Sequence, residues 1–297
     1  MSRAVLVTGG SGQVGTALRQ VAGDRFDLVM PSRSELDLSD PASIEAMLAS
    51  RDWAAVVSSG AYTAVDKAES DVVAAWRANA IGPAALAAGT AARAIPIVHL
   101  STDYVFDGSR DGFYAEGDPV APIGVYGASK EGGEQAIRSA NPAHVILRTA
   151  WVVSPFGANF IKTMLRVGAE RPELRVVADQ HGCPTSALDI ADAVATILDR
   201  LLTDDRAPTG TYHFVNAGEA SWHGLAEAVF ARAATRGGPS PQVSAITTAD
   251  YPTPARRPAN SRLATGKITR DYGIAPRPWR EAIDEIVDIL LAEKVTA

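Results

Sequence analysis

A doubly wound α/β fold, a parallel sheet with helices on both faces, is what this sequence predicts, and three observations predict it. Short apolar runs alternate with Ala-rich helical stretches through the first half of the chain. Glycines recur at every third position (Gly9, Gly12 and Gly15) directly after the first of those runs. The 297 residues are 46% hydrophobic, which supplies a core for one large domain or two smaller ones. Strands that read as continuous apolar runs are buried on both faces, and helices on both sides must cover them.

Residues 4–8 read as the first strand and 12–21 as the first helix, with a second strand over 26–30. Asp40 then caps a helix that Pro41 opens, since proline fits the first helical position. Residues 54–58 give a third strand, followed by one long helix over 72–93. The fourth and fifth strands fall at 95–101 and 144–148, with a helix over 126–139 between them. Beyond Trp151 the rhythm turns irregular: helix over 159–169, strand over 174–178, helix over 187–202, strand over 211–215, helix over 222–234. Residues 237–258 are rich in Pro, Gly and Ser and read as mostly loop. Pro278 and Trp279 open an amphipathic C-terminal helix with Ile283, Ile286, Val287 and Leu290 on one face. The expected division is a dinucleotide-binding domain over 1–150, with elements returning to it from about 174–216. A smaller C-terminal substrate-binding lobe comes from 151–173 and 217–297.

The formal charge is −6, from 28 basic and 34 acidic residues, so no basic surface stands ready for a nucleic-acid backbone. Met1, Ser2 and Arg3 lead into an apolar segment too brief for a signal peptide, and no stretch stays apolar for the roughly 18 residues of a membrane span. The single cysteine, Cys183, excludes an intrachain disulfide and fits a reducing compartment. The five histidines are scattered, so no metal ligand set is expected. The expectation is a cytoplasmic enzyme without nucleic-acid or membrane partners.

Thr8-Gly-Gly-Ser-Gly-Gln-Val-Gly15 ends the first strand and opens the first helix. Gly9 permits a sharp turn, Gly12 admits a pyrophosphate against the backbone, and Gly15 lets the helix pack on the strand. Free N–H groups at the helix start then face the phosphates. The pattern is that of a Rossmann-type dinucleotide site; an ordinary Gly-rich turn is the alternative. Most NAD sites end the second strand with a carboxylate, whereas this chain reads Met30-Pro-Ser-Arg-Ser34. Arg33 beside Ser32 suits a 2′-phosphate and so NADPH, with NADH as the alternative if Arg33 is only solvated. Asp37 and Leu38 can close over the adenine, or Asp37 can serve a turn.

Tyr126 and Lys130 stand four apart on one helix, so phenol and ammonium project from the same face. A cation that near favours the phenolate, so Tyr126 can exchange a proton near neutral pH, and Lys130 can reach the nicotinamide ribose. Ser101, Thr102 and Asp103 end the preceding strand, where open α/β sheets place their chemistry. A surface helical pair is the alternative.

Thr8-Gly-x-x-Gly-x-x-Gly15, Thr102 and Tyr126-x-x-x-Lys130 together resemble the extended short-chain dehydrogenase/reductase family. Within it, Tyr62-Thr-Ala-Val-Asp-Lys-Ala-Glu69, Ser101-Thr-Asp-Tyr-Val-Phe106 and Arg257-Pro-Ala-Asn-Ser-Arg-Leu263 resemble the dTDP-4-dehydrorhamnose reductases. Arg148-Thr-Ala-Trp151, Asn159-Phe160 and Asp179-Gln-His-Gly-Cys-Pro-Thr185 add to the likeness, which runs from residue 5 to the last helix. It implies NADPH-dependent reduction of the C4 ketone of dTDP-4-dehydro-L-rhamnose to dTDP-L-rhamnose, a cell-surface glycan precursor.

Residue by residue, the resemblance implies Thr102, Tyr126 and Lys130 as the catalytic set, with Tyr126 as acid and Thr102 orienting the ketone. Gly9, Gly12, Gln13 and Val14 line the pyrophosphate turn, Asp37 and Leu38 meet the adenine, and Gly60, Ala61 and Tyr62 run beside the dinucleotide. Asp103, Tyr104 and Phe106 face the sugar, Trp151 covers it, and Asn159, Arg256 and Arg257 serve the nucleotide diphosphate. The alternatives are a core aromatic for Trp151 and a solvated turn for Arg256 and Arg257. Asn79 reads as a support of the fold. Cys183 is either a reactive thiol or an ordinary small residue. Magnesium-bridged dimers in the family carry a carboxylate shortly past the Pro-Thr pair; here Leu188 stands there and Asp189 follows, so Mg²⁺ is in doubt. The expected assembly is a monomer or a metal-independent homodimer. The scaffold also suits another nucleotide-sugar reductase or epimerase, or a non-catalytic regulatory binding subunit.

Overall fold

Ala4–Thr8 form β1, each residue buried, in the interior of a six-stranded sheet. The protein is represented by a computed structural model that describes residues 4–295; the expectation attached to Met1, Ser2 and Arg3 lies outside the described residues. From β1 the chain passes through α1 (Gln13–Ala22) to β2 (Asp27–Val29). α2 (Pro41–Ala49) starts as the sequence predicts, with the Asp40 carboxylate accepting from Ala42 N at 2.9 Å, and leads to β3 (Ala55–Ser58).

The single helix predicted over 72–93 is instead α4 (Val72–Trp76), a π-helical turn over Arg77–Ile81 and α5 (Gly82–Ala92), preceded by the short α3 (Val65–Ala68). The wider turn carries Asn79, whose amide clamps the Tyr62 backbone. Tyr62 N donates to Asn79 Oδ1 at 2.8 Å, and Asn79 Nδ2 donates to Tyr62 O at 3.0 Å. β4 (Ile97–Thr102) runs into a 3-10 turn over Asp103–Val105, and α6 (Val125–Ala140) and β5 (His144–Thr149) complete the first half.

Past the short β6 (Val152–Val153) come α7 (Phe160–Glu170), β7 (Glu173–Val177) and the short β8 (His181–Gly182) and β9 (Thr185–Ser186). α8 (Ala187–Thr203) and β10 (Gly210–His213) return to the main sheet. β11 (Ala220–Ser221), α9 (Trp222–Ala234), β12 (Gln242–Ile246), β13 (Asn260–Ser261), α10 (Gly266–Tyr272) and α11 (Trp279–Val295) finish the chain.

The main sheet is parallel throughout, in the order β10-β5-β4-β3-β1-β2. Alternate residues feed opposite faces. Val5, Val7, Val57, Val98 and Leu100 pack against α1 and α8, while Ala4, Leu6, Val56, Ile97 and Ile146 pack against α2, α5 and α6. The strand order reverses between β1 and β3, the place where such sheets open a crevice at their C-terminal ends.

Two expectations are corrected. Residues 242–246 are a strand and not loop, because β12 finds a parallel partner in β7. That pairing also takes β7 out of the main sheet, so the returning elements begin with α8 at Ala187. A short apolar run reveals a strand, but not which sheet it joins. α9 covers β7 and β12, and α11 then lays Ile283, Ile286, Val287 and Leu290 into the cluster with Leu225 and Val229. No helix among the described residues is long and apolar enough to cross a membrane.

Candidate active site

At the strand reversal, the loops leaving β1 and β3 touch. Gly9 sits at φ 71°, and a Cβ there would lie 2.6 Å from Gly60 Cα, so neither loop has room for a side chain. A Cβ on Gly15 would meet Gly9 O at 2.4 Å, which explains how α1 packs onto the turn. A Cβ on Gly12 would meet only Gly9 O, at 3.2 Å, so its other side is open. No side chain caps the first N–H groups of α1, and its first turn holds no acid. Open backbone and uncapped N–H groups fit a dinucleotide pyrophosphate. The side chains beside them are committed elsewhere. Gln13 Oε1 accepts from Ser154 Oγ at 2.7 Å, and Val14 packs against the core, which leaves their backbone amides for a ligand.

Ser32 and Arg33 are exposed just beyond β2, and Arg33 forms no ion pair among the described residues. Glu35 accepts from Ser32 N at 2.7 Å, and that bond holds its carboxyl below the usual range. Asp37 accepts from Ser39 N and Oγ, each at 2.8 Å and both on Oδ1, so one carboxylate oxygen closes a turn and the exposed side chain keeps Oδ2 for a ligand. Leu38 lies over Gly60, its Cδ1 2.6 Å from where a Cβ there would stand. Gly60 N donates to Thr8 Oγ1 at 3.1 Å, and Ala61 and Tyr62 continue half-buried along the same edge.

The catalytic candidates meet at the end of β4. Thr102, Asp103 and Lys130 are buried, and Tyr126 is half-buried. α6 comes close to this end because position 127 is glycine: a Cβ there would lie 2.1 Å from Tyr104 O. Tyr126 then meets the Tyr104 ring edge-on, centroids 5.4 Å apart. Thr102 Oγ1 accepts from Tyr104 N at 3.2 Å and donates to Asp103 Oδ1 at 3.0 Å, beside the Tyr126 phenol.

The phenol differs from expectation. Burial first, and the Asp103 charge second, push Tyr126 well above the ordinary phenol value, with the neighbouring Thr102 hydroxyl opposing. The Lys130 ammonium turns instead to Leu100 O at 2.7 Å and His99 Nε2 at 3.4 Å. Tyr126 is therefore held in the protonated form, the form that gives a proton away. Burial lowers Lys130 to about 8, against the charge of Glu134.

Burial also pushes Asp103 up to about 6, although bonds from Ser261 and Thr102 favour its ionised form. A carboxyl raised in the folded state binds its proton more tightly there than in the unfolded chain. Its ionisation therefore costs stability, progressively from pH 3.8 to 6 and fully above 6. The difference between about 6 and 3.8 is worth about 3 kcal/mol. Asp103→Asn is expected to raise the melting temperature at pH 7.5 and to leave it near the parent's at pH 4; calorimetry at both values checks this.

On the side of the smaller lobe, Trp151 takes φ 49° and stacks on Trp222, centroids 3.7 Å apart and planes within 9°. Gly182 makes room for it, since a Cβ there would lie 2.4 Å from the indole. The stacked pair forms a half-buried wall rather than core. Trp222 escapes sequence reasoning because nothing local marks a partner 71 positions away. Arg257 is no solvated turn residue: it pairs with Asp66 at 2.8 Å and approaches Tyr104 Oη at 3.5 Å. Arg256 is exposed.

Two substrate candidates are corrected. Phe106 is wholly buried, stacked on Tyr114 at 4.2 Å with Arg148 over its face, so it supports the site from behind. Asn159 caps α7 through Lys162 N and donates to Ser154 O and Phe156 O, which uses its amide for the fold. Cys183 is buried, and burial raises its thiol to about 11, so it is an ordinary small residue. Asp189 is held by Arg277 at 2.9 Å and by Asn216 Nδ2 at 2.6 Å, and Glu285 pairs with the same Arg277. Among the described residues no group of three His, Cys, Asp or Glu side chains can hold a metal ion.

Known proteins resemble this chain over nearly its whole length. The model of the RmlD substrate binding domain family matches residues 3–292. The chain is 46% identical over 288 residues to dTDP-4-dehydrorhamnose reductase of Sinorhizobium fredii, covering 97% of each chain. It is 41% identical over 294 residues to a probable dTDP-4,6-dihydroxy-2-methyloxan-3-one 4-ketoreductase of Streptomyces antibioticus, covering 97% of this chain and 96% of that one. The crystal structure of dTDP-4-dehydrorhamnose reductase from Bacillus anthracis in complex with NADP has a TM-score of 0.90 and 32% identity, over 97% of this chain and 100% of that one. With the glycine turn, the Tyr126–Lys130 helix and near full-length likeness together, this chain belongs to the RmlD substrate binding domain family, among the dTDP-4-dehydrorhamnose reductases.

Proposed function

We propose that this chain reduces the C4 ketone of dTDP-4-dehydro-L-rhamnose with NADPH, giving dTDP-L-rhamnose for cell-surface glycans. The observation that carries this is the meeting of Thr102 and Tyr126 at the end of β4, with buried Lys130 on the same helix, at the sheet edge that bears the glycine turn. Gly9, Gly12 and the amides of Gln13 and Val14 would hold the pyrophosphate, and Ser32 and Arg33 the 2′-phosphate. Leu38 would meet the adenine, while Gly60, Ala61 and Tyr62 would follow the chain of the dinucleotide. NADPH, when bound, supplies a hydride to the carbonyl carbon. Tyr126 gives its phenolic proton to the carbonyl oxygen, so ketone becomes alcohol and the phenol becomes phenolate. Thr102 steadies that oxygen with its hydroxyl, and Lys130 supports the phenolate until it is reprotonated. Asp103, Tyr104, Trp151 with Trp222, and Arg257 would form the walls of the dTDP-sugar site.

The same reading divides the chain into a dinucleotide half, residues 4–150 with α8 and β10, and a substrate lobe from the remainder. It places the protein in the cytoplasm, which the single cysteine supports. It needs no bridging metal for any dimer, because Arg277 already pairs with both Asp189 and Glu285. A different dTDP-sugar ketone is the second reading, favoured by the likeness to the Streptomyces ketoreductase. Absorbance at 340 nm separates them: NADPH should be consumed rapidly with dTDP-4-dehydro-L-rhamnose and not with its 4-keto-6-deoxyglucose precursor. Equal rates would overturn the sugar assignment, and no consumption with either would point to a non-catalytic subunit.

Arg33→Asp places a carboxylate where the 2′-phosphate would lie. NADPH affinity is expected to fall by about tenfold or more, the loss of roughly one charge-assisted hydrogen bond, while NADH affinity changes less. Isothermal titration with both cofactors decides it; unchanged NADPH affinity would make Arg33 a solvated residue.

A further inference from the structure

Ser58 on β3 and His99 on β4 are register partners, and both are fully buried. Their contact is a hydrogen bond, His99 Nδ1 to Ser58 Oγ at 3.0 Å. The other ring nitrogen, Nε2, lies 3.4 Å from Lys130 Nζ. Ile97, two residues earlier on the same face, shows that an aliphatic side chain satisfies the packing there. An imidazole between a serine and the catalytic lysine does something that packing does not ask for.

We propose that His99 is a positioning residue that aims the Lys130 ammonium, an inference that rests on the reductase reading above. An ammonium has three N–H bonds in fixed tetrahedral directions. Leu100 O takes one at 2.7 Å, and His99 Nε2 takes a second. With two directions fixed, the third is fixed as well, and it is the one left for ribose hydroxyls or the Tyr126 phenolate. Nε2 can accept only if the ring is neutral and its proton sits on Nδ1. Ser58 Oγ, as acceptor, holds the proton there. Burial first, and the neighbouring Lys130 charge second, hold His99 well below its ordinary value, so the ring stays neutral at working pH. The other charges facing this pair come from Glu134, itself bound by Arg148 and Arg138.

The test exploits side-chain reach. A glutamine at 99 puts an oxygen near the place of Nε2 and keeps the acceptor for Lys130. An asparagine reaches only the place of Nδ1, so it keeps the Ser58 contact and loses the lysine. His99→Asn is expected to lower kcat about tenfold or more, with KM for the sugar within about twofold. The alkaline limb of its kcat profile should move to lower pH, because the ammonium has lost an acceptor. His99→Gln should stay within about threefold of the parent and keep the parent's alkaline limb. Thermal melting confirms that each variant is folded, and Ser58→Ala, which frees the tautomer, should lower kcat less than His99→Asn. An asparagine variant with the parent's kcat and alkaline limb would overturn the proposal. So would equal losses in both variants with an unmoved pH profile, which would mark His99 as packing alone. NADPH affinity, read by fluorescence titration without sugar, keeps the two readings apart. If the parent does not turn over the sugar, the reductase reading fails. The lysine's aim is then still judged by whether asparagine, but not glutamine, weakens NADPH at least threefold.

Discussion

Tyr126→Phe is expected to lower turnover by about 100-fold or more while NADPH binds as tightly as it does to the parent. The substitution removes one oxygen. The ring keeps its edge contact with Tyr104, and Gly127 keeps α6 against the 3-10 turn, so the walls of the site stay in place. What is lost is the proton that the proposed mechanism delivers to the ketone oxygen. Burial and the Asp103 charge keep Tyr126 protonated across the working range, and the neighbouring phenol cannot replace it. Tyr104 is the nearest, but burial and Asp103 raise its hydroxyl to about 12, and Arg257 engages it at 3.5 Å. Single-turnover rates at saturating NADPH, beside fluorescence titration of the cofactor, measure both halves. A variant that turns over like the parent would strip Tyr126 of its role.

The parts of this molecule that were legible in the sequence are those set by local pattern. Apolar runs announced all six strands of the main sheet, and the glycine spacing announced the turn whose Gly9–Gly60 approach leaves no room for a Cβ. The Tyr126–Lys130 spacing placed both groups on one helix, yet it could not say where the ammonium points. Lys130 reaches past Tyr126 to Leu100 O and His99 because α6 lies directly over β4, a tertiary fact. The same holds for the errors. Asn159 and Phe106 have the chemistry to meet a ligand, but a helix cap and an aromatic stack had already claimed them. The π-turn that aims Asn79 has no periodic signature, and the Trp151–Trp222 wall joins residues from separate elements.

Behind the site lies the pair with the largest expected effect on stability. Arg148 and Glu134 are both buried, joined by Nε to Oε1 at 2.9 Å and Nη2 to Oε2 at 2.7 Å. Burial alone would raise Glu134, but the bonds and charge of Arg148, with help from Arg138, bring its carboxyl down to about 2. Arg148→Met leaves that carboxylate with only Arg138, at 2.8 Å, and is expected to cost about 3–5 kcal/mol at pH 7.5. A carboxyl depressed in the folded state contributes stability above its ordinary 4.5, and that contribution is lost as pH falls toward about 2. Without Arg148, burial raises that carboxyl, so the penalty of Arg148→Met should shrink as pH falls from the variant's raised value toward about 2. Lys130 adds a functional mark, since Glu134 is the charge that opposes its loss of a proton. If Glu134 becomes protonated in the variant, Lys130 falls below about 8 and the alkaline limb of kcat moves down with it. Adding Glu134→Gln removes the stranded charge, and the double variant should recover most of the lost stability while keeping the shifted limb. Urea denaturation of the parent, both single variants and the double completes the cycle. A double variant no more stable than Arg148→Met would show that Arg148 acts through its packing on Phe106, 5.1 Å below the guanidinium, and not through the pair.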